Sequence, residues 1–194
     1  MEILRADNYR LEDASLIELT EELASERIDK VWWAEANLSK TFIAEGDSHW
    51  KWENIVNYYS KNILHECVAL LSQENYLEGA MAYQLDFKSK IEKDKGSLYV
   101  GWLATAPRNR NWLVSKPLYK GIGSMLLYCA VRESYASGLG GRVSLQSLPT
   151  SGTVHFYENK GFLRTDWTQP DTGLIDYELP KSKAQAWLHQ QGDL

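Results

Sequence analysis

The sequence predicts a mixed α/β fold, a mostly antiparallel sheet that includes one parallel strand pair and carries flanking helices. Three observations predict it. Residues 66–72 and 76–85 are rich in strand-forming side chains and flank the short polar turn Gln73-Glu-Asn75, as the two arms of a hairpin do. The run Leu98-Tyr-Val-Gly-Trp-Leu-Ala-Thr105 is apolar without interruption and is stopped by Pro107, which is the pattern of a buried strand. A helix opened by glycines, residues 123–137, then separates that run from the alternating segment Arg142-Val-Ser-Leu-Gln-Ser147. A helix crossing over between two strands makes them parallel.

The remaining elements follow in order. Residues 2–5 form a short strand candidate. Leu16, Leu19 and Leu23, spaced three and four apart, predict an amphipathic helix over 11–23 with its acidic residues in solvent. Val31-Trp-Trp-Ala-Glu-Ala36 and residues 49–59 predict further helix, joined through Glu45-Gly-Asp-Ser48. Four of the eight tryptophans fall here, at Trp32, Trp33, Trp50 and Trp52. They either staple this layer onto the sheet or, with Glu45, Asp47 or Glu53, line a cleft that receives an amine. Residues 86–96 read as a charged loop. Leu126, Leu127, Ala130 and Val131 mark the buried face of the long helix, which Gly138, Gly140 and Gly141 end. A short helix from Ser151 has Thr150 or Ser151 as its cap and Gly161 just past its end. Residues 162–168 and 173–179 make a last hairpin around Pro170-Asp-Thr-Gly173, stopped by Pro180, and 181–191 form a terminal helix on Ala184, Trp187 and Leu188. No repeat, low-complexity tract or linker divides the chain, so a single domain over 1–194 is expected, with a variable helical region at about 11–62.

The stretch with chemical content is Tyr119-Lys-Gly-Ile-Gly-Ser124, which runs straight into Met125-Leu-Leu-Tyr-Cys-Ala-Val131. The first amides of a helix lack partners within it and carry the positive end of its dipole. Gly121 and Gly123 have no Cβ, so an anionic group such as a diphosphate can approach the backbone, and Lys120 adds a mobile positive charge.

Taken with Thr153-Val-His-Phe-Tyr-Glu-Asn-Lys-Gly-Phe162, the order of strand, proline, glycine loop, helix, strand and short helix resembles the Gcn5-related N-acetyltransferase (GNAT) superfamily over residues 98–162. The family pattern P-x-x-R-G-x-G-I-G is interrupted here. Pro107-Arg-Asn-Arg110 supplies its first half and Tyr119-Lys-Gly-Ile-Gly123 its second, with residues 111–118 inserted between them; anchored on the glycines, Leu118 takes the basic slot. Thr150 stands where the family often has an asparagine that bonds the pantetheine arm.

The resemblance implies a splayed parallel strand pair and an acetyl-CoA-dependent N-acetyltransferase, in which a primary amine attacks the thioester directly in a ternary complex. It places the cofactor on the backbone of Leu103, Ala104 and Thr105, on Arg110 and Lys120, on the amides of Gly121, Ile122, Gly123 and Ser124, and at Thr150. Tyr157 matches the general acid that protonates the departing thiolate. The first strand of the pair carries no carboxylate, so the base candidates are Glu78, Glu53, His49 or a water chain. His155 reads as a surface or capping histidine. The expected acceptor is a small amine, a polyamine, or a protein N-terminus or lysine. The competing class is a GNAT-fold module that has lost transfer and binds CoA or a protein partner. A third reading has the insertion, with its Trp112 and Leu113, form a homodimer contact or a lid.

Composition bounds these readings. A hydrophobic content of 44% fills one core. A net charge of −5 lacks the basic field that a nucleic-acid backbone needs and favours a cationic substrate. Cys67 and Cys129 have no metal-ligand spacing and read as core residues, so no metal is expected. No apolar signal segment and no membrane-length apolar run is present, and the expected compartment is the cytoplasm.

Overall fold

The computed structural model describes residues 1–35 and 46–191. They fall into two compact units, Met1–Ala82 with Trp102–Leu127, and Tyr83–Gly101 with Tyr128–Leu194.

The first unit contains β1 (Glu2–Arg5), β2 (Leu11–Glu18), the single turn α1 (Glu21–Leu23), α2 (Trp32–Glu35), α3 (Trp52–Tyr59) and β3 (His65–Ser72). It also holds the first half of β4 (Leu77–Lys88), the end of β5 (Gly96–Thr105), β6 (Tyr119–Lys120) and the start of α4 (Ile122–Ala136). α1 continues into a wider π-helical turn, Ala24–Asp29. Its strands run in the order β6-β1-β2-β3-β4. β1 lies antiparallel to both β2 and β6, and β2 lies antiparallel to β3 with Ala14 opposite Ser72.

The expected helix over 11–23 is instead a strand followed by one helical turn. β2 is zipped to a strand on either side, and those ladders override the three-and-four leucine spacing. The three leucines do not share a helix face. Leu16 points outward from β2, Leu19 is buried between strand and helix, and Leu23 closes α1, whose first turn is capped by Thr20 Oγ1 accepting from the Leu23 amide at 3.2 Å.

The core of this unit joins Leu19, Ala24 and Ile28 to Trp32, Trp52, Ile55, Val56 and Tyr59, and these to Ala69, Leu77 and Ala104 of the strands. Gly79 of β4 makes room for α4, because a Cβ there would stand 2.7 Å from Ile122 Cγ2 and 2.9 Å from Leu126 Cδ1. Close backbone approach at this position is what seats the opening of α4 against the sheet.

The second unit contains the other parts of β4, β5 and α4, then β7 (Val143–Ser147), α5 (Ser151–Asn159), β8 (Leu163–Thr168), β9 (Ile175–Leu179) and α6 (Lys181–Gln191). Its strand order is β4-β5-β7-β9-β8. β5 and β7 are the expected parallel pair, with Leu98, Tyr99 and Val100 opposite Val143, Ser144 and Leu145. β9 is antiparallel to both β7 and β8. Leu98, Val100, Val143, Leu145, Tyr177, Leu179, Ala184 and Leu188 are buried. Among the described residues no helix is long and apolar enough to cross a membrane.

Candidate active site

The glycine loop is built from the end of β5 outward. After Thr105 the chain turns through Pro107–Asn109, fixed by the Ala106 amide donating to Glu78 O at 2.9 Å. The eight inserted residues, 111–118, then leave and return through a closed neck. Two bonds close it: the Leu118 amide donates to Arg108 O at 3.1 Å, and the Tyr119 amide donates to Asn109 Oδ1 at 3.0 Å. The two halves of the interrupted motif therefore lie side by side, and the insertion bulges away from them. Trp112, at its tip, is 64% exposed.

β6 fastens the returning chain, with Tyr119 opposite Arg5 and Lys120 opposite Leu4. Tyr119 is buried, and its hydroxyl donates to Glu12 Oε2 at 2.9 Å. Gly121 follows in the left-handed region, φ 78°, and the direction a side chain would take from it is open space. Only glycine adopts this backbone without strain, and only glycine leaves this approach clear. α4 starts at the next residue, and its first internal bond runs from the Met125 amide to Gly121 O at 2.9 Å. The amides of Ile122, Gly123 and Ser124 lie ahead of that bond and have no acceptor within the helix. The donor set suits a diphosphate. Lys120 is exposed beside it; its Nζ donates to Tyr9 Oη at 3.0 Å and lies 4.4 Å from the centre of that ring. This contact pulls the Tyr9 phenol below its ordinary range.

Arg110, expected as a phosphate contact, is otherwise engaged. Its side chain is 5% exposed and grips both carboxylate oxygens of Asp47. Nε and Nη2 also donate to Thr105 O at 3.0 and 2.7 Å. The guanidinium thus ties the end of β5 to the segment ahead of α3, and it also occupies the Thr105 carbonyl. Leu103 and Ala104 lie just before that point on β5, and the parallel ladder with β7 includes no residue of β5 after Val100.

In the second unit, Thr150 is the N-cap of α5, its Oγ1 accepting from the Thr153 amide at 3.4 Å. Tyr157 lies near the end of that helix, its ring 5.6 Å from Phe162 and 6.0 Å from Tyr177. Burial pushes its phenol up to about 12. His155 is exposed, one helical turn from its partner Asn159.

No family model and no curated protein matches the sequence. Solved structures do. A histone acetyltransferase HPA2-related acetyltransferase from Corynebacterium glutamicum superposes with a TM-score of 0.56 at 14% identity, over 86% of this chain and 96% of that one. The apo form of FdhC, a nucleotide-linked sugar GNAT, gives 0.58 at 18% identity over 98% and 97%. A mutant AtaT toxin bound to acetyl-CoA and to the C-terminus of its antitoxin AtaR gives 0.59 at 13% identity over 91% and 99%. The chain has the GNAT fold.

Around the GNAT frame, the first unit presents a row of tryptophans. Trp32 and Trp52 are buried with ring centres 6.4 Å apart. Trp50 meets Trp52 edge-on at 6.2 Å and Trp102 of β5 at 4.7 Å. Asp29 caps α3 with both oxygens, on the amides of Trp52 and Glu53 at 2.9 and 3.1 Å. The inner tryptophans are core, and Trp50 with Trp102 is the half-exposed end of the row. Glu45 and the side chain of Trp33 lie outside the described residues.

Of the base candidates, Glu53 and His49 are exposed in the first unit, Glu53 accepting from Ser25 Oγ at 3.2 Å. Glu78 is 0% exposed and serves the protein itself. Its Oε1 accepts from Ser72 Oγ at 3.0 Å, and its Oε2 from Arg108 Nε at 3.1 Å and Asn109 Nδ2 at 2.8 Å. Among the described residues no group of three His, Cys, Asp or Glu is placed to hold a metal ion. The closed neck and the inward turn of Arg110 were not readable from the motif, although Pro107-Arg-Asn-Arg110 marks the residues that build both.

Proposed function

We propose that this chain is an acetyl-CoA-dependent N-acetyltransferase that acts on a primary amine, either a small amine or polyamine or an amine of a protein. The observation that carries the reading is the start of α4: Gly121 at φ 78° with open space where a side chain would stand, ahead of the amides of Ile122, Gly123 and Ser124, which have no acceptor within the helix. Those amides and Lys120 hold the diphosphate. The backbone of Leu103 and Ala104 takes the pantetheine arm, with Thr150 at the cap of α5 contributing a hydroxyl. Arg110 acts from behind, by fixing Thr105.

Bound acetyl-CoA supplies the activated thioester. The amine nitrogen bonds to the carbonyl carbon, the carbon–sulfur bond breaks, the phenol of Tyr157 gives its proton to the sulfur, and the proton shed by the newly acylated nitrogen restores the phenol. Burial raises the phenol to about 12, so it carries its proton at neutral pH and is in the acid form when the carbon–sulfur bond breaks. The attacking ammonium must first lose a proton, and the exposed carboxylate of Glu53, His49 or a water chain receives it. Holding the reactants in line supplies most of the rate.

The competing reading is a binding module that has kept the fold without transfer, and the AtaT complex shows a protein of this fold holding a protein partner. Thiol release from acetyl-CoA, first with spermidine and then with lysine-bearing peptides, separates the two. Turnover is expected to fall by about 10²- to 10⁴-fold in Tyr157→Phe. It is expected to rise with pH as the amine deprotonates, with no decline from phenol ionisation up to about pH 10. A Tyr157→Phe protein with full turnover contradicts the acid role, and an absence of thiol release with every amine favours the binding module.

A further inference from the structure

The insertion separates the glycine loop from the proline turn by eight residues, so something other than chain continuity must fix the loop's direction. The neck supplies it, together with the pairing of β6 with β1. Asn109 bridges two partners at once: Oδ1 accepts from the Tyr119 amide at 3.0 Å, and Nδ2 donates to Glu78 Oε2 at 2.8 Å. Glu78 cannot drift, because it is fully buried on β4 and is also held by Ser72 and Arg108. The Glu78 backbone carbonyl accepts from the Ala106 amide at 2.9 Å, so the same residue fixes the start of the proline turn. Tyr119 lies two residues before Gly121, so the direction of its peptide bears on that of the amides that open α4.

We propose that Asn109, anchored by the buried Glu78 carboxylate, is a positioning residue for the diphosphate: it sets the direction of the amides of residues 122–124 through the Tyr119 peptide. This rests on the acetyl-CoA reading above. It assigns Glu78 to the loop and not to proton transfer. A side-chain bridge here restores the connection that an unbroken motif would have provided through the main chain.

The test is calorimetric titration with CoA and with 3′-dephospho-CoA, which share the diphosphate, of the wild type, Asn109→Ala and Asn109→Ser. Serine is too short to reach both partners and keeps a polar group in the neck. Loss of the bridge is expected to raise both dissociation constants by the same factor, about three- to tenfold. Thr20→Ala, which removes the cap of α1 in the same unit, is the control for stability: it lowers the melting temperature and keeps wild-type affinity. Asn109 variants that bind both ligands as tightly as the wild type overturn the proposal and leave the acetyltransferase reading standing. So does a loss matched by Thr20→Ala, which would mark the effect as general destabilisation. A wild-type chain that binds neither ligand overturns that reading, and the proposal with it.

Discussion

Among the described residues, Glu78 in the first unit and Glu178 in the second are completely buried, and the two are used differently. Glu78 on β4 is met by a cation and two neutral donors, Arg108, Asn109 and Ser72. Glu178 on β9 is met by neutral donors: Ser89 Oγ, the Lys90 amide at 2.8 Å and Ser144 Oγ at 3.3 Å. Its neighbour Asp176 takes the charge of Lys90 Nζ at 2.8 Å. Both carboxylates staple a connecting segment to a strand, as a buried charge must if its desolvation is to be offset. The difference lies in what the stapled segment leads to. The loop held by Glu178 connects β4 to β5. The turn held by Glu78 leads to the glycine loop, so the direction of that loop depends on the staple.

The comparison breaks first at Glu78→Ala. This change removes an acceptor shared by three donors in a buried site, and it is expected to cost about 3–5 kcal/mol in denaturant unfolding and to weaken CoA binding as well. Glu178→Gln sharpens it. The amide keeps the shape and loses charge-assisted bonds, so about 1–3 kcal/mol of stability is expected to go while CoA affinity is kept. Equal losses of CoA affinity in the two variants would show that both staples act only through stability.

Much of this arrangement is legible in the sequence, and what is not has physical causes. The apolar run to Thr105, the crossover to the strand at 143–147 and the cap at Thr150 are local signals, and the structure keeps them. The strand at 11–18 is not local: Leu11-Glu-Asp-Ala-Ser-Leu-Ile-Glu18 has weak alternation and is extended because β1 and β3 pair with it. β6 is two residues long and exists only through β1. For the same reason Arg110 could not be placed. An arginine in a phosphate-loop motif reads as an anion contact, and only the fold brings Asp47 against it, 63 residues away in sequence. The glycine loop itself was readable because its demand is made on single residues: a left-handed φ at Gly121 and an open approach over it.

The most direct measurement is therefore calorimetric titration of the purified protein with CoA and acetyl-CoA, beside the same titration of Gly121→Asp. Aspartate at this position is strained by the positive φ and projects a carboxylate into the approach of the diphosphate. The account predicts micromolar binding of both ligands by the wild type and no detectable binding by the variant, with the fold retained. A wild type that binds neither ligand, or a folded Gly121→Asp that binds as tightly as the wild type, would contradict it.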